Sequence, residues 1–380
     1  MFRHLILASL LGLLASHARA QTAVPATDTT SGSADTDDDW WRRIRLEAFV
    51  DAYYLADWNL PAAPTANSAG IAHRAFDRNQ GFGLSFAGLG IAYEGEDVGA
   101  TLDLRFGGAQ AALIGAPVAE FVALKEAYAS WRPMEGLQLD VGQFDTLYGV
   151  ESADSWRNAN YTRGALYFLQ PFYHFGGRLT YEAEAFTLRA MVVNGTNLAV
   201  VDNNQSPHVG VQVLFPLGDA AELALGYYTG ASASGYGAAA AAVDDDQWEH
   251  FVDAVLTATL VGRLRLAVNG SVYVSAPDDD ALFYGLAATA ALDVTESFAL
   301  ALRGELVGDT EALVTLGQYE RLGTVTATLD YHPSKHVYIR LDTRLEVADR
   351  DLYTDRDTAD DGTLRRTYLS STLGFVVTTD

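Results

Sequence analysis

The chain of 380 residues contains no cysteine. That absence excludes a disulfide framework, thiolate metal sites and thiol catalysis together. Basic side chains are scarce, with 25 Lys and Arg against 49 Asp and Glu. A surface that binds nucleic acid needs a basic stripe to displace counterions, so no nucleic-acid partner is expected. Nor does any uninterrupted apolar stretch reach the ~20 residues of a membrane-spanning helix, although 49% of the residues are hydrophobic. What the chain has instead is 34 Gly, 19 Tyr and 17 Phe, residue types favoured in turns and in pleated sheet.

The first twenty residues have the three parts of a secretory signal: a positive start at Arg3, an apolar run over 5–14, and the small-residue site Ala18-Arg19-Ala20. The run is too short to span a bilayer, so cleavage after Ala20 is expected. Residues 21–39 are mostly Thr, Ser, Asp and Ala. They cannot bury enough surface to offset their ordering entropy and are expected to form a disordered acidic tail on the periplasmic side. The folded unit is then expected over 40–380.

From Trp40 onward the apolar residues alternate. Ile44, Leu46, Ala48, Val50 and Ala52 share one face, opposite Arg45, Glu47 and Asp51; Leu300, Leu302 and Leu306 oppose Arg303 and Glu305; Ile339, Leu341, Leu345 and Val347 oppose Arg340, Asp342, Arg344 and Glu346. Period two over many segments is the strand signal. Seven very short connections, such as Glu94-Gly95-Glu96-Asp97 and Pro133-Met134-Glu135-Gly136, alternate with eight longer polar stretches at 57–80, 107–119, 150–163, 196–206, 231–247, 276–280, 308–318 and 349–364. Fifteen connections imply sixteen strands, with both chain ends on the short-turn side. That asymmetry is the pattern of a closed antiparallel transmembrane β-barrel. Closure is required because every backbone polar group in hydrocarbon must be paired within the protein. Tyr93, Trp131, Tyr181, Phe215 and Tyr331 precede tight turns, where an interfacial aromatic girdle would sit. Leu84 and Phe86 are out of phase with Leu89, Ile91 and Tyr93, so a bulge is expected near Ala87-Gly88. A soluble β-sandwich or propeller also alternates, but its loop lengths would not segregate by parity.

Gly142-Gln143-Phe144, Tyr148-Gly149-Val150-Glu151, Asn160-Tyr161-Thr162-Arg163, Pro171-Phe172-Tyr173-His174 and Val192-Val193-Asn194-Gly195 resemble the OmpL-like outer-membrane β-barrel porin family. The resemblance implies a Gram-negative outer-membrane channel for small solutes; the expected partners are outer-membrane lipid, small hydrophilic solutes or ions and the barrel-assembly machinery, and the barrel is expected as a monomer or a homotrimer. One departure stands out: such barrels commonly end on an aromatic residue, whereas here Phe375 is followed by Val-Val-Thr-Thr-Asp.

If the apolar faces meet lipid, then Arg45, Glu47, Asp51, Asp103, Arg105, Asp140, Arg189, Arg265, Arg303, Glu305, Arg340, Asp342, Arg344 and Glu346 line the interior. Both signs suit a water-filled pore with a transverse field; cross-strand ion pairs that only stabilise a wet wall are the plainer alternative. Loop 150–163, with Glu151, Trp156, Asn158, Asn160, Tyr161 and Arg163, is a candidate constriction loop folded into the mouth or lumen, the alternative being an aromatic-tipped external loop. The six carboxylates of 349–363 do not follow the EF-hand spacing. His73, His174, His208, His250, His332 and His336 are scattered and match no HExxH signature. No metal, cofactor or catalytic residue is therefore expected. A barrel hydrolase built around Ser271 and a non-conducting structural or adhesive barrel remain the alternatives to a channel.

Overall fold

The computed structural model describes residues 37–63, 66–67, 71, 73–74, 76, 80–109, 123–197, 206–231, 248–275, 282–310, 315 and 317–379. The proposed signal peptide, most of the acidic tail and parts of several long loops lie outside the described residues. A 3₁₀ helix over Asp37–Arg43 leads into β1 (Ile44–Asp57). The strands that follow are β2 (Gly81–Glu94), β3 (Val98–Phe106), β4 (Leu124–Met134), β5 (Leu137–Asp145) and β6 (Tyr173–Glu182). Then come β7 (Thr187–Val193), β8 (His208–Pro216), β9 (Ala221–Ala231), β10 (Trp248–Leu260) and β11 (Leu264–Ser275). The series ends with β12 (Leu282–Asp293), β13 (Phe298–Asp309), β14 (Arg321–Ser334), β15 (Val337–Ala348) and β16 (Thr367–Thr378).

Each strand pairs with its sequence neighbours, and β1 closes on β16 to give a sixteen-stranded barrel. The closing seam is antiparallel and runs from Phe49 opposite Thr378 to Asp57 opposite Ser370. All the short turns lie at one end and the long loops at the other, as the parity of the connections predicts. No helix among the described residues is long and apolar enough to cross a membrane, so the strands alone form the wall.

The wall has its oily side outward. On β15, Leu341, Leu345 and Val347 are 41–47% exposed whereas Arg340, Asp342, Arg344 and Glu346 are at most 3% exposed. The same inversion recurs on β13, where Leu300, Leu302 and Leu306 face out and Arg303 and Glu305 are buried. Aromatic side chains are exposed at both rims. Trp131, Tyr181, Phe215, Phe298 and Tyr331 lie at the turn end, and Trp58, Phe82, Tyr227, Trp248 and Tyr284 toward the loop end. Phe298 and Tyr331 stack across β13 and β14 with centroids 4.6 Å apart.

The register slips at four places among the described strands, and two of these bulges aim a polar side chain inward. Between β1 and β2 the register slips at Asp51/Ala52, opposite Phe86 and Leu84. The extra residue is thus Ser85, two positions before the expected site, and it is buried. Between β3 and β4 the slip at Asp103/Leu104 makes Lys125 the extra residue. A bulge inserts one residue and so reverses which face the next side chain takes; this is why Leu84 faces out and Phe86 in.

An arginine placed at Leu302, 54% exposed in mid-β13, should lower stability in vesicles by about 2–4 kcal/mol, the cost of a cation on a lipid face near the bilayer midplane. Denaturant titration of Leu302→Arg in lipid checks this, and an unchanged midpoint would show that Leu302 does not meet hydrocarbon.

Candidate functional site

The connection between β5 and β6 (146–172), called L3 below, does not extend outward. It carries a 3₁₀ turn at Ser155–Arg157 and a one-turn helix at Ala165–Phe168, with Trp156, Tyr161, Leu166 and Phe168 all buried. Gly149, with φ of +82°, makes the bend that starts the inward path, a conformation that disfavours any side chain. Three L3 side chains then seat over wall positions that have no Cβ. Tyr148 covers Gly226 of β9, Leu166 covers Gly285 of β12, and Tyr161 covers Gly374 of β16. A methyl at those glycines would come within 2.7, 2.4 and 2.2 Å of the seated side chains. The wall is notched to receive the loop.

Between the notches, L3 is tied to the wall by hydrogen bonds, most of them to charged groups. On β1, Asp51 accepts from the Ser155 hydroxyl at 2.8 Å and the Tyr161 hydroxyl at 2.6 Å. On β15, Asp342 accepts from the Thr162 backbone N–H and hydroxyl, each at 2.7 Å. Arg340 donates to the carbonyls of Ser155 at 2.6 Å and Asn158 at 2.9 Å, and Arg344 to that of Arg163 at 2.9 Å. Two strands from β15, on β13, Arg303 donates to Glu151 at 2.5 Å and to the Thr162 carbonyl at 2.7 Å, while Glu305 accepts from the Leu166 N–H at 3.1 Å. Asn160 donates to Thr328 of β14 at 2.6 Å. On β10, Asp253 accepts from the Gly149 N–H at 2.9 Å, and the Gln170 amide lies 2.7–3.1 Å from Asp253, Asn269 and Ser271. Ser271 itself donates to Asp253 at 2.7 Å. It serves this anchor, with no imidazole bonded to it among the described residues.

A further anchor is a cluster of ion pairs. Asp154 lies 3.2 Å from Arg105, 3.4 Å from Lys125 and 3.6 Å from Arg157, and Arg157 reaches Glu47 at 2.9 Å. Burial opposes ionisation of Asp154, but Arg105, Lys125 and Arg157 outweigh it and hold the carboxyl well below the usual carboxylate range. The β3–β4 bulge is what points Lys125 at it.

Other loops also reach into the loop-end lumen. His73 and Arg74 of the β1–β2 connection reach Glu346 at 2.9 and 3.1 Å. Tyr353, from the β15–β16 connection, donates to the same carboxylate at 2.7 Å. Tyr319, from the β13–β14 connection, meets His73 Nδ1 at 3.0 Å. Burial pushes the His73 imidazole below its ordinary pKa against the pull of Glu346, and a neutral ring can donate to Glu346 while accepting from Tyr319. Glu346 thus ties two loops to β15 directly and a third through His73.

All fourteen residues expected on the interior fall on the inner face, but their surroundings differ. Asp51, Arg105, Asp140, Arg189, Arg303, Glu305, Arg340, Asp342, Arg344 and Glu346 are buried. Most of these meet L3 or the β1–β2 connection; Asp140 pairs instead with Arg178 of β6 at 2.8 Å. Arg45, Glu47, Asp103 and Arg265 keep more contact with water, with side-chain exposures of 62, 17, 20 and 34%. The loop residues Glu151, Trp156, Asn158, Asn160, Tyr161 and Arg163 all lie within the lumen. Lys125, Asp154, Asp253, Gln170, His73 and Arg74 belong to the same network and escaped sequence reasoning. Asp253 could have been found from the alternation of β10; Lys125 was hidden by the bulge, and the others lie on loops, which have no period.

A family profile described as "Putative beta-barrel porin-2, OmpL-like" matches residues 43–377. The chain belongs to this porin family. The porin's barrel is similar to several solved ones. The outer membrane channel DcaP of Acinetobacter baumannii is 11% identical, with a TM-score of 0.57 over 88% of this chain and 96% of the other. An anion-selective porin from Comamonas acidovorans gives 11% and 0.56 over 88% and 99%. The trimer form of OmpT from Vibrio cholerae gives 11% and 0.55 over 88% and 98%. At these identities the likeness is one of fold. No functionally curated protein matches the chain.

Gly374→Ala should drive the Tyr161 ring off its seat and away from Asp51, and raise single-channel conductance or its noise. A channel trace identical to wild type would mean that L3 does not depend on this notch. Asp154→Asn should cost about 3–5 kcal/mol, the usual loss on breaking a buried pair. Because the folded carboxyl titrates below its unfolded value of about 3.9, the Asp154 contribution is complete above that pH and is lost only as the pH falls through the lower, folded value. Conductance at pH 5 should therefore match that at pH 7 as far as this latch controls it.

Proposed function

We propose that this porin is a passive, non-enzymatic diffusion channel for small hydrophilic solutes or ions in the outer membrane of a Gram-negative bacterium, assembled as a homotrimer. The observation that carries the proposal is L3: a wall loop folded across the lumen and held on both sides by charged wall residues, so that the free cross-section is narrowed by a fixed structure. Selection then rests on pore width and lumen charge, with no energy input. The charged side chains that stay open to water beside L3 include Glu47, Asp103, Asp145 and Arg157, with exposures of 17, 20, 40 and 25%. They flank the path on the β1–β5 side and carry both signs. The trimer is supported by the trimeric form of a solved barrel of similar fold. The pattern of a cleaved export leader expected in residues 1–20 supports the location.

Arg340 and Arg344 give the sharpest test. A bare lumen wall would respond to charge reversal only through ion preference. Here both guanidiniums hold L3 carbonyls, so the pair Arg340→Glu and Arg344→Glu should raise conductance as well as shift the reversal potential toward cations in a salt gradient across a planar bilayer. Ion steps that are absent from the wild-type protein would overturn the channel reading. A shifted potential at unchanged conductance would overturn the role of these residues in holding L3.

A further inference from the structure

Beside L3 the wall carries a row of carboxylates. Glu47 of β1, Gly90 of β2, Asp103 of β3 and Glu126 of β4 pair directly across four adjacent strands and form one lateral row on the inner face. Gly90 makes room within it: a methyl there would come within 2.5 Å of Asp103 Oδ1 and 3.4 Å of Glu47 Cβ. The Asp103 carboxylate therefore leans over Gly90 toward Glu47. A single nitrogen, Arg105 Nη2, lies 3.4 Å from Glu47 and 3.8 Å from Asp103. Glu126 continues the row to Asp145, whose backbone N–H it accepts at 2.9 Å.

The two signs are segregated by depth. Arg105 and Lys125 are withdrawn beside the buried Asp154, with side-chain exposures of 2 and 6%. Glu47, Asp103, Glu126 and Asp145 all keep contact with water, and of the cations in this cluster only Arg157 does so comparably. With Asp154 the cluster holds five carboxylates against three cations, which leaves two negative charges over at neutral pH. Arg178 stands nearby but is matched by Asp140 at 2.8 Å.

The far side of L3 is dry. Tyr228, Phe251, Tyr273 and Phe283 of β9–β12 are at most 3% exposed and pack with Tyr148 and Leu166 of L3 in one apolar cluster. A hydrated ion does not cross a packed apolar layer, because it would give up water for nothing. The side of β1–β5, where charge stays wet, is what remains for it.

On the channel reading, we propose that this porin prefers small cations to anions, and that the wall carboxylates Glu47, Asp103, Glu126 and Asp145 set the preference. Arg105 and Lys125 hold Asp154, and with it L3, from behind the row, and Arg157 moderates the field in front of it.

Reversal potentials of the full-length porin in a planar bilayer, across a KCl gradient, test this. Potassium should permeate over chloride by about fivefold or more, the effect of one unit charge ~4 Å away even at the dielectric constant of water. The preference should fall as the salt is raised from ~0.1 M to ~1 M, since the screening length drops from about 10 Å to about 3 Å. Asp103→Asn should lower the potassium-to-chloride ratio and Arg157→Gln should raise it, opposite shifts that a general loosening of L3 would not give. Equal passage of both ions or a chloride preference in the wild-type protein overturns the inference, as do shifts of the two variants in one direction. Ion steps without cation preference sink this inference alone; the absence of any steps sinks the channel reading together with it. Should a variant fail to fold, the wild-type potential and its salt dependence decide.

Discussion

Hydrocarbon offers no hydrogen-bond partner, and that constraint governs the structure. Every strand must find both neighbours, so the sheet closes through the β1–β16 seam and the polar side chains are left the inside. The interior of this barrel is consequently held by the interactions that hold protein surfaces elsewhere, ion pairs and charge-assisted hydrogen bonds, but shielded from bulk water, where they are stronger and where any unpaired member is costly. The lumen answers by gathering its charges into clusters. Glu346 joins two loops directly and a third through His73, Asp342 binds L3 through two residues, and Asp154 gathers three cations.

Much of the charge on the inner wall is consequently buried and not open to water. Ten of the fourteen expected wall residues are buried, most of them under infolded loops, so their first role is to position L3. What stays open to water is Glu47, Asp103 and their neighbours at the margin of the loop. Glycine contributes to the same end by omission, since Gly226, Gly285 and Gly374 leave room for Tyr148, Leu166 and Tyr161. Shape and charge thus fix the loop together, and neither alone would hold a segment of this length across a wet interior.

The barrel itself was legible in the chain because its signals are local. Alternation puts Leu341 and Arg340 on opposite faces whatever the rest of the protein does, and the length of each connection says at which end it lies. The phase error at Leu84 and Phe86 revealed a bulge, displaced by two residues because Ser85 is small and polar and reads as part of either phase. Lys125 was missed for the same kind of reason: its bulge turns a side chain that periodicity would have sent toward lipid. Trp156, Asn160 and Tyr161 stood out as unusual for an external loop, which pointed to L3 but not to where it would bind.

Strand number, closure, and which face meets lipid were therefore set by the order of residues along the chain, since neighbouring side chains in a pleated strand must point opposite ways. The docking of L3 was not. Asp51 meets Ser155 across 104 positions and Asp342 meets Thr162 across 180, partners that come together only once the sheet has curved shut. Whether an inward carboxylate faces water or holds a loop depends on that curvature, because closing the cylinder is what brings opposite walls within reach of a single loop.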